Sequence, residues 1–298
     1  MRTPSSAEAA LVVCLVVASA CGGGRSSAGP SAASAVTSGR TPLQLKVMTF
    51  NIQHGIDGSS RYNLQRAIDT IARVQPDLVG LQEVTRNHPS YACDDQPARI
   101  ASGLRVATGQ AWDVVYEQEW FTPDVSCQKN GQGTGPETEG LAFLALRSMS
   151  ASSMVPLPDS RIGLQVAVRD VYDLPVAVTH LSSGTAKEVA RNQQIDRLMS
   201  WTRGFGQPLV LMGDFNTGPQ SSELQSVLAG FRDAWSDAVA AGRALGAGST
   251  QRSTRVDYVF YVPGNSLTLE SAEFVDTAAL IGVVASDHQP LVATFTVR

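Results

Sequence analysis

"LMGDFNTGP" (211–219) sets two apolar residues and a glycine against an Asp, a Phe and an Asn, then turns on Gly-Pro. A carboxylate at the end of a buried strand is costly to desolvate unless a metal, a proton or a hydrogen bond compensates it. What this stretch means therefore depends on whether other strands end on ligand-like residues.

Several do. "LQLKVMTFN" (43–51) reads as a strand ending at Asn51, and "DLVGLQEV" (77–84) as a buried strand with Gln82 and Glu83 at its end. "GLAFLALR" (140–147), "LQVAVRDV" (164–171) and "LPVAVTHL" (174–181) are strands, the last two joined as a hairpin across a tight "YD" turn, with His180 near the far end. "PLVLMGDFN" (208–216), "RVDYVFYV" (255–262) and "QPLVATFTV" (289–297) complete the set, with "LTLESAEFVD" between the last two. Helices are few. "RYNLQRAIDTIARVQ" (61–75) places Leu64, Ile68 and Ile71 at helical spacing and stops at Pro76. "TAKEVARNQQIDRLMSWTRG" (185–204) places Val189, Ile195, Leu198 and Trp201 on one side, and a short helix opens near Pro219. Many strands, several hairpins and few helices do not make an alternating βαβ sheet. Two facing mixed sheets with helices packed outside fit better, and bring strand ends together at one edge.

Residues 85–139 are turn-rich and polar, with "PARIASGLRVATG" (97–109) as the one helix and an insertion or lid as the expected role. Two of the four cysteines, Cys93 and Cys127, lie here and predict one disulfide in an exported chain. "YEQEWFTPDV" (116–125) is the one stretch that resembles a membrane-docking hairpin, but Trp120 and Phe121 read better as core cover.

The first 40 or so residues stand apart. "AALVVCLVVASA" (9–20) is too short to span a bilayer and reads as the apolar region of a secretion signal. Ala20-Cys21 before glycines resembles a bacterial lipobox, which implies a lipidated Cys21 and a tether on the outer face of the membrane. The alternative is an ordinary cleaved signal and secretion. Residues 22–42, rich in Gly, Ser and Ala, read as a flexible linker. That leaves 43–298 as one domain, expected to be a monomer.

The full chain carries 23 basic residues against 27 acidic ones, net −4, and outside the leader the balance is more acidic still. The basic footprint of a tight, non-specific nucleic-acid binder is missing. Nucleic acid as a substrate is therefore not favoured, though a nuclease acting through a metal stays open.

The candidate site residues are Asn51, Glu83, His180, Asp214, Asn216, Asp257, Asp287 and His288, the last two in "ASDHQP" (285–290). Taken singly, each has an ordinary structural explanation. Asp257, inside an apolar strand, needs a permanent partner, and a histidine would serve. Together they are the parts for metal-assisted phosphoester hydrolysis. The hard oxygen ligands Asn51, Glu83 and Asp287 suit Mg²⁺ or Mn²⁺, and no Cys/His cluster points to zinc. Arg191, Arg252 and Arg255 are weaker candidates, as phosphate contacts.

In that order, "MTFNI", "LQEV", "GLAFL", "VTHL", "GDFN", "RVDYVF" and "SDHQP" span residues 48–290, and the chain resembles the endonuclease/exonuclease/phosphatase superfamily. The resemblance implies a four-layered α/β sandwich and assigns roles. Glu83 would be the principal metal ligand with Asn51 and Asp287 beside it. Asp214 and Asn216 would position water and phosphate or hold a second metal. His180 would be the donor or general acid, and the Asp257–His288 pair a base and phosphate ligand. A phosphoesterase acting on a small or lipid-linked substrate is the first expectation, an extracellular nuclease the second, and a non-catalytic binding module on the same scaffold the third.

Overall fold

Apolar strands that run without a polar face must be covered on both sides, and the layers of this fold follow from that requirement. The structure, a computed structural model, describes residues 41–250 and 254–298. The signal, Cys21, nearly all of the linker and Arg252 lie outside the described residues.

The strands in chain order are β1 (Leu43–Asn51), β2 (Leu78–Arg86), β3 (Asp113–Phe121), β4 (Thr138–Ala145), β5 (Ser153–Leu157), β6 (Arg161–Val168), β7 (Leu174–His180), β8 (Val210–Asp214), β9 (Arg232–Asp233), β10 (Ala244–Leu245), β11 (Asp257–Tyr261), β12 (Leu267–Phe274) and β13 (Leu291–Val297). They form two mixed sheets, ordered β10-β12-β13-β1-β2-β4-β3 and β5-β6-β7-β8-β11-β9. The helices are α1 (Gln65–Val74), α2 (Gln96–Thr108), α3 (Ser126–Lys129), α4 (Glu188–Thr202), α5 (Gln225–Leu228), α6 (Ala234–Ala240) and α7 (Thr277–Ile281).

Alternation along each strand builds three apolar layers. Leu45 and Val47 of β1 meet Val176, Val178 and Met212 between the sheets. The intervening Met48 and Phe50 face outward onto Ile68 and Ile71 of α1 and Ile100 and Leu104 of α2. On the second sheet, Leu211 and Phe260 face outward onto Ile195 and Leu198 of α4. Helix, sheet, sheet, helix is the four-layered α/β sandwich expected.

Parallel pairing sets where the strands end. β1 pairs with β2 in parallel and β7 with β8, each pair linked through an outer helix, so all four carboxyl ends lie at one edge. β11 runs antiparallel to β8 and begins at that edge, opposing Asp257 to Asp214.

Some expectations need correction. The 85–139 segment is not a detached lid, because β3 lies within it and forms an edge of the first sheet. The Cys93–Cys127 disulfide is formed and ties the turn after β2 to α3, the short helix after β3. Phe121 is 59 % exposed rather than covering the core. The strand β5 was also not expected. Helix α1 begins at Gln65, not Arg61, and the hairpin connection is a 3-10 turn at Arg169–Val171 followed by left-handed Tyr172 and Asp173. Val189 is 70 % exposed, whereas Ile195 and Leu198 are buried as expected, joined by Met199. No helix among the described residues is long and apolar enough to cross a membrane.

Candidate active site

The geometry centres on the corner after β8. Gly213 has φ +141°, and a Cβ there would lie 2.0 Å from the Thr179 carbonyl oxygen. Only glycine lets β8 approach β7 this closely, and the approach sets Asp214 opposite His180 in register. The next residues fold back on the carboxylate: the Asn216 backbone N–H donates to Asp214 Oδ1 (2.8 Å).

Asp214 Oδ2 is the hub. Asn51 Nδ2 donates to it at 3.2 Å, and His180 Nε2 and His288 Nε2 lie 3.6 and 3.8 Å away. The same Asn51 amide donates to Glu83 Oε1 at 3.0 Å, so one carboxamide joins two carboxylates from opposite sheets. Glu83 reaches this point because β2 bulges. Its register with β4 slips between Leu81 and Val84, and Glu83 takes φ 55°. A bulge re-aims a side chain that regular alternation would send elsewhere.

Asp257 is buried and its Oδ2 receives His288 Nδ1 at 2.7 Å, while its Oδ1 has no hydrogen-bond partner among the described residues. The Thr250 hydroxyl holds this corner by accepting from the backbone N–H groups of Val256 and Asp257. Ser286 Oγ donates to the Asn51 carbonyl (2.8 Å), stitching the 286–288 loop to the end of β1. Electrostatics follow burial. Desolvation, reinforced by the Asp257 charge, pushes the Asp214 carboxyl up to about 8. Burial lowers His288, but Asp257, Asp214 and Asp287 outweigh it and lift the imidazole to about 10. His180, buried beside Arg161, is held well below the ordinary histidine range.

Of the candidate residues, the structure brings together Asn51, Glu83, His180, Asp214, Asp257 and His288. Asp287 is at the rim: the residue is exposed and its backbone N–H meets Gln53 Oε1 (3.2 Å). Asn216 lies beside the hub, but its Nδ2 donates to the Leu181 carbonyl (2.9 Å), so the amide braces the β8 corner. Two of the arginines are structural. Arg191 is buried on Glu223 (2.9 Å) and on the Ser182 and Gly184 carbonyls. Arg255 is buried on Asp233 (2.6 Å) and over the Tyr258 ring.

Sequence reasoning missed four neighbours. His54 lies between Glu83 (3.3 Å) and Glu139 (3.6 Å), and Arg161 lies between Glu119 and His180, 3.0 Å from each. A signal existed for His54, one of only four histidines in the chain and three residues after Asn51.

The donor set fits a hard divalent cation. Asn51, Glu83, Asp214 and Asp257 supply amide and carboxylate oxygens; among the described residues no lysine or arginine is paired to them, and one buried Asp257 oxygen is unpartnered. Asp214, Asp257 and His288 also offer ligand atoms within 4.8 Å of one another. A second such group, Glu119, Glu139 and His180, already has the Arg161 guanidinium as its cation.

A two-sheet α/β sandwich whose strand ends gather carboxylates and histidines defines the class. The chain belongs to the Endonuclease/Exonuclease/phosphatase family, whose model matches residues 48–288. It is similar to an endonuclease/exonuclease/phosphatase from Beutenbergia cavernae DSM 12333, at 26% identity and TM-score 0.64, covering 85% of this chain and 72% of that one. The human Nocturnin catalytic domain with bound sulfate shares the fold at 21% identity and TM-score 0.59, over 87% and 98% of the two chains. So does ANGEL2, described as a 2',3'-cyclic phosphatase, at 18% identity and TM-score 0.61, over 86% and 95%. No curated protein matches the chain.

Proposed function

We propose that this chain is an exported phosphoesterase, dependent on Mg²⁺ or Mn²⁺, that hydrolyses a small or lipid-linked phosphate ester. The observation that carries the reading is the convergence of Asn51, His180 and His288 on Asp214 Oδ2, with Glu83 joined to the same Asn51 amide. Hydrolysis needs a positioned water, a place for its proton, and donors to the phosphoryl oxygens. Asp214 accepts a hydrogen bond from the water and orients it, and in its ionised form takes the proton, with His288 beside it. Asp257 holds the His288 ring and balances its charge. His180 Nε2 donates to a phosphoryl oxygen. Glu83 and Asn51, with Asp287 at the rim, would hold the cation, which when bound would supply positive charge to the phosphoryl and leaving oxygens.

The acidic charge balance favours a small or lipid-linked substrate over a polynucleotide. The apolar stretch before Ala20-Cys21 supports export, with a lipid on Cys21 as the tether. Fractionation of producing cells tests the tether: the wild-type chain is expected with membranes and Cys21→Ser in the soluble fraction, whereas equal partition would remove it.

The catalytic test offers the purified full chain with Mg²⁺ sphingomyelin vesicles, phosphoinositides, inositol phosphates, plasmid DNA and RNA. Turnover of a small or lipid-linked ester, abolished by chelator, by Glu83→Ala and by His288→Ala, is the expected result. Turnover of DNA or RNA alone would replace it with the nuclease reading. A folded, metal-loaded chain that turns over none of these would favour the binding module.

A further inference from the structure

The two buried histidines of the site have opposite charges behind them. His288 Nδ1 faces the Asp257 carboxylate at 2.7 Å, so Nδ1 carries hydrogen and Nε2 is the nitrogen that exchanges a proton with the cleft. His180 Nδ1 faces Arg161 Nη1 at 3.0 Å. A guanidinium has donors only and does not lose its proton in proteins, so Nδ1 of His180 must be the acceptor. The hydrogen of the neutral ring is then on Nε2, which lies 3.6 Å from Asp214 Oδ2 and 4.0 Å from Glu83 Oε1.

We infer that Arg161 is a positioning residue that locks His180 as an Nε2–H hydrogen-bond donor, and that Glu119 holds Arg161 in place for that task. The role rests on the phosphoesterase reading, whereas the tautomer stands apart from it. Glu119 is placed by the fold to do this. It is the extra residue of a β-bulge, where the register of β3 with β4 slips between Gln118 and Trp120. Its side chain is fully buried although its strand is an edge. There Oε2 meets Arg161 Nη1 at 3.0 Å, the same nitrogen that reaches His180, while Oε2 is 3.9 Å from His180 Nδ1 itself. Without the guanidinium between them, Glu119 would accept from Nδ1–H and leave Nε2 of His180 as an acceptor. Arg161 thus reverses the role that a carboxylate neighbour would impose, and keeps the cleft-facing nitrogen of His180 a donor.

Nitrogen NMR of the full chain labelled on its histidine rings reads this directly, with His180→Asn identifying the signals. The expected result is a neutral His180 protonated on Nε2. A His180 protonated on Nδ1, or on both nitrogens, at neutral pH would overturn the inference, and the tautomer is read on the wild-type chain. In Arg161→Met the proton is expected to move to Nδ1. Against the substrate found in the catalytic test, kcat should fall about 100-fold, the order seen when one transition-state donor is lost, with KM nearly unchanged. Arg161→Lys, whose ammonium also only donates, should restore the tautomer and part of kcat. An Arg161→Met chain with the wild-type tautomer would overturn the inference. If the wild-type chain hydrolyses no phosphoester, the functional reading fails while the tautomer still decides the positioning role.

Discussion

Glu83 shows at the scale of one residue how the site costs stability. A non-glycine residue at φ 55° is strained by about 1 kcal/mol, and this one also brings a carboxylate beside Asp214. Glu83→Gly relieves both, because glycine adopts that backbone freely. The variant is expected to unfold at a temperature no lower than the wild type while losing at least about 100-fold in turnover. A clear fall in unfolding temperature would mean that Glu83 is a structural residue first. The carboxylate itself was legible in sequence, as was Asp214, because each ends an apolar run. His54 and Arg161 were not: one follows a strand in a left-handed turn, and the other begins a strand right after a turn, where arginine ordinarily faces solvent.

At the scale of elements, the close approach of β8 to β7 is the decisive contact. Gly213→Ala would set a methyl 2.0 Å from a backbone oxygen that cannot turn aside, at a φ that alanine disfavours. A loss of about 3 kcal/mol in denaturant unfolding is expected, and a loss below about 0.5 kcal/mol would show slack between the strands. The β3 bulge gives a pH prediction. Burial pushes the Glu119 carboxyl up to about 8, against the pull of Arg161. The folded pKa lies above the ordinary 4.5 of the unfolded chain, so the contribution is complete below 4.5 and is lost as pH rises toward 8. Stability should therefore decline across that window by at most roughly 1.4 kcal/mol per pH unit. Glu119→Gln, which does not titrate, should flatten the slope, and parallel slopes in calorimetry would refute the assignment. The inner strands could be read from their apolar runs. The edge strands could not: β3 interrupts its apolar positions with "YEQE", where nothing separates exposed Gln118 from buried Glu119, and β5 carries Pro156, tolerated only at an edge.

At the scale of the whole molecule, both sheets send residues to one edge. Asn51, Glu83 and His288 come from the first sheet and the loop leading into it, and His180, Asp214 and Asp257 from the second. The site therefore exists only when the sandwich is closed, and a cation bound there should stabilise the fold as a unit. This architecture was open to sequence reasoning because most contributing strands are apolar runs covered on both faces, and β1 alternates around Gln44 and Lys46 before its buried end. The bulges that aim Glu83 and Glu119 were not, since a register slip leaves no mark on the apolar pattern.

The central claim is that this cluster works by holding a divalent cation. The most direct measurement is calorimetric titration of Mn²⁺ into the metal-stripped full chain and into Glu83→Ala, with phosphoester turnover followed over the same concentrations. Saturable binding to the wild type, turnover that rises along the same curve, and loss of both in Glu83→Ala are predicted. Full turnover in excess chelator, or a folded wild-type chain that takes up no Mn²⁺, would contradict it.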